Sequence, residues 1–256
     1  MIHVEPVPAF NDNYIWLIIQ SDNSHVAIVD PGDAGPVLER VESGNLVPSA
    51  ILITHHHGDH TGGVTELLRH FSIPVYGPRG ERIPGRTHDL AEGDSINLED
   101  LSLQFRILDM PGHTAGAIAY YGNGEVFVGD TLFMSGCGRL FEGTPGQMHH
   151  SLGKLAALPE DTQVYCAHEY TLANLRFAAA VEPDNRDIQK RIEDCQSLRR
   201  NNQPTVPGSI AVEKLTNPFL RTHIPAVAGA ASHYRKQELA NEIEVFATIR
   251  NWKDNF

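Results

Sequence analysis

The stretch Ala50-Ile51-Leu52-Ile53-Thr54-His55-His56-His57-Gly58-Asp59-His60-Thr61-Gly62-Gly63 runs an apolar strand straight into four histidines and a carboxylate. Imidazole nitrogen and carboxylate oxygen together are ligands for zinc, iron or manganese. Side chains of an extended segment alternate in direction, so His55 and His57 point one way and His56 the other. Gly58 lets the chain turn. Asp59 and His60 then converge from the start of a helix, and Gly62 and Gly63 permit close backbone packing there.

Three later loops repeat the pattern. Met110-Pro111-Gly112-His113-Thr114 follows the apolar run 103–108, Gly129-Asp130-Thr131 follows 126–128, and Ala167-His168-Glu169-Tyr170 follows 164–166. Each polar group comes at the C-terminal end of a strand, where an α/β scaffold places functional loops. The set is His55, His57, Asp59, His60, His113, Asp130 and His168. Seven ligands exceed one tetrahedral ion and suit two ions sharing a carboxylate, for which Asp130 is best placed. A lone His at a strand end is ordinarily a packing residue, but four loops each carrying at least one donor make a convergent set. His56, pointing away, reads as support or packing. His149 and His150 are neighbours opening a helix and do not face each other, so they read as packing too.

Outward from these loops the chain alternates. Short β-branched runs bounded by turn residues predict strands at 14–19, 26–29, 50–53, 103–108, 117–121, 126–128 and 164–166. Helical patterns predict helices at 36–42, 64–70 and 148–158. Interleaved strands and helices mean an α/β layer structure. After about Tyr170 the strands stop, and 172–181, 187–202 and 236–252 read as helices broken by prolines. The expected organisation is therefore a catalytic domain over 1–168 and a smaller all-α domain over 169–256. Charge divides at the same place: net −13 over residues 1–168 and +1 over residues 169–256.

The chain has 256 residues, 41% hydrophobic and 20% charged, which is enough for a real core. A formal charge of −12 repels phosphate backbones and argues against nucleic acid as a partner. No apolar run approaches a membrane span, and the first twenty residues lack the basic start of a secretion signal. Cys137, Cys166 and Cys195 are widely spaced with no CxxC, so a reducing cytoplasm is the expected compartment. A monomer is expected.

The HxHxDH run, with His113, Asp130 and His168 after it, resembles the metallo-β-lactamase superfamily. More specific segments narrow the resemblance to its glyoxalase II (hydroxyacylglutathione hydrolase) family. These are Pro8-Ala9-Phe10-Asn11-Asp12-Asn13-Tyr14, Val29-Asp30-Pro31-Gly32, Gly136-Cys137-Gly138-Arg139, Phe141-Glu142-Gly143-Thr144, His168-Glu169-Tyr170-Thr171 and Arg250-Asn251-Trp252-Lys253-Asp254. The resemblance covers essentially the whole length. It implies an αββα metallo-β-lactamase-like sandwich followed by a helical substrate-binding domain. It implies that His55, His57 and His113 hold one ion, that Asp59, His60 and His168 hold the other, and that Asp130 bridges them. It implies glutathione contacts by Arg139, Tyr170, Arg250 and Lys253. Arg139 and Phe141 depart from the Lys and Tyr of the animal enzymes; Arg139 keeps the charge, and Phe141 lacks a hydroxyl.

The implied activity is hydrolysis of S-D-lactoylglutathione and related S-2-hydroxyacylglutathiones, a step of methylglyoxal detoxification. The residues suit it. Two divalent ions, zinc first and iron or manganese also compatible, acidify water and polarise a carbonyl. The leaving thiolate, whose acid has a pKa of about 8.5, departs without strong protonation. Asp59 joins Asp130 as a catalytic candidate because it can handle a proton as well as ligate. The substrate's two carboxylates need local cations, and Arg250 and Lys253 stand three apart on one helix face; a solvated helix end is the competing reading of that pair. The alternative function is a mononuclear-iron glutathione persulfide dioxygenase, which needs only two His and one Asp. A nuclease is disfavoured by the acidic charge, a β-lactamase by the missing secretion signal, and a closed metal-binding module would turn over no thioester.

Overall fold

The computed structural model describes residues 2–256 and divides into two compact units. The first holds the described residues up to Met110 together with Thr114–Gly129; the second holds Pro111–His113 and Asp130–Phe256.

The first unit is α/β. One sheet takes the strands in order Ile2–Ala9, Asn13–Gln20, His25–Val29, Val47–Leu52, Val75–Pro78 and His88–Leu90. The first three pair antiparallel and the rest parallel. Parallel neighbours need crossover connections, which the helices Ala34–Gly44 and Val64–His70 supply. Their apolar faces (Val37, Val41, Val64, Leu67) pack with Ile15, Leu17, Val26, Ile28 and Ile51 in one core. The strand Asn13–Gln20 is buried on both faces, so it reads as a continuous apolar run and not an alternating one.

Four more strands, Ser95–Leu98, Leu103–Asp109, Ile118–Gly122 and Glu125–Gly129, pair antiparallel in sequence order. Phe105, Tyr120 and Phe127 pack edge to face among them. The Tyr120 hydroxyl donates to Ile53 O at 2.9 Å, which fastens this sheet to the strand end that opens the histidine loop.

The second unit is helical, with two short strand pairs, Leu132–Phe133 with Gly136–Cys137 and Gln163–Val164 with Gly208–Ser209. Its helices begin where capping chemistry allows. Thr144 and Gln147 form a reciprocal capping box ahead of Pro145–Ala156, Asn185 caps Arg186–Arg200, and Asn241 caps Glu242–Asp254. The helix expected over 236–252 starts later, as Glu242–Asp254, and the helix Pro225–Arg235 before it was not expected. Pro225–Arg235 ends on Lys236, whose φ of 57° is left-handed, and Asn241 starts the next. The helix Ile210–Thr216 and the strand at Gly208–Ser209 also fall where strands and short helices were not expected.

A polar cluster is buried in this unit. Glu213, fully buried, pairs with Arg191 at 2.6 Å and accepts from Ser135 N and Asn217 Nδ2 at 2.8 Å each. Removing one member of a buried pair leaves the other charge uncompensated. Glu213→Ala is therefore expected to cost about 3–5 kcal/mol, read as a lower urea midpoint at unchanged slope; a loss below about 1 kcal/mol contradicts this account of the pair. Among the described residues no helix is long and apolar enough to cross a membrane.

Candidate active site

In the first unit the strand Val47–Leu52 ends two residues before Thr54, and the helix Gly58–Thr61 starts on His57. His55 and His57 come together, as alternation predicts: His55 Nε2 lies 3.1 Å from His57 Nδ1. His56 turns the other way and donates from Nδ1 to Glu81 at 3.0 Å. His60 is buried with its Nδ1 against Asp30 Oδ2 at 3.0 Å and its Nε2 3.6 Å from Asp59 Oδ2. Asp59 is half-buried, and it accepts from Asn13 Nδ2 at 3.1 Å.

Asp30 organises the group. Its buried carboxylate accepts from Thr54 N at 2.8 Å and Thr54 Oγ1 at 2.7 Å besides facing His60. With its proton given to Asp30, the Thr54 hydroxyl accepts from His55 Nδ1 at 3.1 Å, which leaves the lone pair of that ring on Nε2. Gly58, expected to permit the turn, has open space where a Cβ would stand. The close approach occurs at Gly62 and Gly63, whose Cβ atoms would lie 2.6 Å from Gly32 O and Ala34 N.

In the second unit His113, Asp130 and His168 form one cluster. His113 Nδ1 donates to Arg139 O at 2.8 Å. Its Nε2 stands 3.4 Å from Asp130 Oδ2, while His168 Nε2 stands 3.3 Å from Asp130 Oδ1. Each oxygen of one carboxylate thus faces a different imidazole. Gly138 makes room, since a Cβ there would sit 2.0 Å from Asp130 O. The His168 ring stacks on Tyr170 at 4.7 Å.

A cavity of about 420 Å³ opens on this cluster, lined by His113, Asp130, Cys137, Arg139, Phe141, Tyr170, Asn174, Arg250 and Lys253 among others. All four expected substrate contacts line it. Arg250 is buried and no solvated helix end: it donates to Cys137 O at 2.8 Å and Asp254 Oδ1 at 3.0 Å. Burial, followed by the charge of Arg250, brings Lys253 down to about 8. Phe141 is 63% exposed, with its ring 5.2 Å from that of His113.

Two family models together match residues 10–256: the metallo-beta-lactamase superfamily over residues 10–168, and the hydroxyacylglutathione hydrolase C-terminus over residues 169–256. A hydroxyacylglutathione hydrolase of Nitrosomonas eutropha is 55% identical over 256 residues, covering all of both chains. The chain belongs to the hydroxyacylglutathione hydrolase family. A relative of the same name from Alkalilimnicola ehrlichii is 55% identical over 99% of each chain. Among solved structures, ETHE1 from Myxococcus xanthus shares the fold at TM-score 0.68 and 24% identity, over 98% of this chain and 91% of its own. TTHA1623, solved in a di-iron-bound form, has TM-score 0.60 and 26% identity, over 84% and 100%.

Membership in this family of hydrolases does not favour the persulfide dioxygenase alternative. It agrees with the donor chemistry. Two donors each about 2.0–2.2 Å from one tetrahedral ion stand roughly 3.3–3.5 Å apart. The His113–Asp130 and His168–Asp130 separations of 3.4 and 3.3 Å fit that spacing, and the His55–His57 separation of 3.1 Å is slightly shorter. The three cysteines are buried and form no disulfide, and burial pushes the Cys166 thiol up to about 12, which disfavours thiolate chemistry there. Sequence reasoning gave Asp30 no role of its own and did not single out Glu81 or Asn174. Only Asp30 carries a signal, as the polar residue directly after a buried strand.

Proposed function

We propose that the protein hydrolyses S-2-hydroxyacylglutathiones, S-D-lactoylglutathione foremost, to the hydroxy acid and glutathione. The observation that carries this is the cavity lined at once by Asp130 with its facing imidazole and by three cationic side chains, Arg139, Arg250 and Lys253. A peptide thioester bearing two carboxylates needs both features.

In this reading His55, His57 and His113 would hold one divalent ion, Asp59, His60 and His168 would hold the other, and Asp130 would serve both. Zinc suits the set, and iron and manganese are compatible. Such ions, when bound, lower the pKa of water to about 7 and polarise a carbonyl. The chain's own residues do the rest. Arg250 and Lys253 bind the carboxylates, Tyr170 and Arg139 line the path to the thioester, and the Arg139 carbonyl fixes the His113 ring so that Nε2 faces Asp130. Asp59, held by Asn13 and partly in solvent, accepts the proton of the attacking water. The thiolate of glutathione then leaves without needing a strong acid. The ranges of the two family models support a catalytic domain over 1–168 and a substrate-binding domain over 169–256. A cytoplasmic monomer completes the proposal.

The test is product analysis. Purified protein should convert S-D-lactoylglutathione to D-lactate and glutathione with little activity on β-lactams or RNA. Oxidation of glutathione persulfide faster than thioester hydrolysis would reverse the assignment.

A further inference from the structure

Glu81 lies in the loop after the strand Val75–Pro78, with no metal-ligand or catalytic motif around it. Its side chain is nevertheless only 3% exposed. One oxygen accepts from Thr114 Oγ1 at 2.5 Å and Gly116 N at 3.1 Å; the other accepts from His56 Nδ1 at 3.0 Å. Its own carbonyl accepts from the Arg86 guanidinium at 2.5 Å, which also donates to Pro78 O and so fixes the loop. Gly116 is shaped to the contact, since a Cβ there would stand 2.7 Å from Glu81 Cγ.

The three donors occupy particular places in the chain. His56 sits between His55 and His57. Thr114 and Gly116 begin the segment that immediately follows His113. A buried carboxylate is costly unless hydrogen-bonded, and this one spends all its bonds on the neighbours of proposed ligands, touching no ligand itself. We propose that Glu81 is a positioning residue for the metal site: it holds the His56 imidazole between His55 and His57, and the Thr114 hydroxyl and Gly116 N just after His113, so that the neighbouring imidazoles keep their ligating orientation. This rests on the metal reading above. Groups that orient ligands typically carry 10–100-fold in metal affinity or activity.

The test is chelator competition on the purified holoprotein, with melting of the metal-free form and steady-state kinetics alongside. Glu81→Ala should bind zinc about 10–100-fold more weakly. Its kcat should fall while KM for S-D-lactoylglutathione stays within about twofold, because the cations of the cavity are untouched. Glu81→Gln keeps the acceptor for Thr114 and Gly116, and should hold zinc within about threefold of the wild type while Ala does not. A Glu81→Ala protein with lowered melting temperature but wild-type zinc affinity has lost only structure and overturns the proposal. Should Glu81→Ala fail to fold, Thr114→Val removes one arm; unchanged zinc affinity there overturns the proposal equally. A wild type that holds no metal overturns the metal reading and this proposal together, whereas a wild type holding two ions beside an equally tight Ala variant overturns this proposal alone.

Discussion

Asp130→Ala is expected to lose at least about a thousandfold in turnover, equivalent to roughly 4 kcal/mol of transition-state stabilisation, and to bind both ions poorly. The reason lies in one carboxylate serving two imidazoles, with His113 Nε2 at 3.4 Å from one oxygen and His168 Nε2 at 3.3 Å from the other. Removing a group from one side of a metal site weakens one ion; removing the group between two disturbs both. Metal analysis and kcat on the same preparation check this. A fully active Asp130→Ala protein carrying one ion would sink the binuclear model.

The second large effect falls on KM. Cation–carboxylate hydrogen bonds contribute roughly 1.5–3 kcal/mol, and the substrate carboxylates lie away from the reacting thioester. Their contacts should be alike in ground and transition states, so their loss raises KM and leaves kcat nearly unchanged. Lys253→Ala is expected to raise KM about tenfold or more. Arg250→Ala should do the same and also lower the melting temperature, because Arg250 is buried, donates to Cys137 O, and lies 5.1 Å from the Phe219 ring centre. The Lys253 ammonium, brought down to about 8, is charged below that pH and neutral above it. Affinity for an anionic substrate is therefore full below about pH 8 and lost as pH rises through it, so the wild-type KM should climb there while the Lys253→Ala KM should not. Added salt should raise the wild-type KM by screening. Unchanged KM in both variants removes these residues from the substrate site.

Much of this was legible before any coordinates. The strand Asn13–Gln20 announces itself because burial on both faces makes its run apolar throughout. The ligand loops are legible because each begins where such a run stops. Ile2–Ala9 was hidden by Pro6 and Pro8, which an edge strand tolerates on its unpaired side. The helix Pro225–Arg235 was hidden because Pro225 reads as a helix breaker, although the first helical turn tolerates proline. Asp30 and Glu81 gain their roles only from partners 24 to 35 residues away, and no local pattern encodes such pairings. Arg250 reads as a surface charge on a helix face until its carbonyl partner 113 residues earlier is known.

The central claim, two ions serving one thioester hydrolysis, is tested most directly by titrating metal-free protein with zinc while following S-D-lactoylglutathione cleavage. Activity should be negligible at the start and should saturate at two ions per chain. Full activity with one ion per chain, or with none, would contradict it.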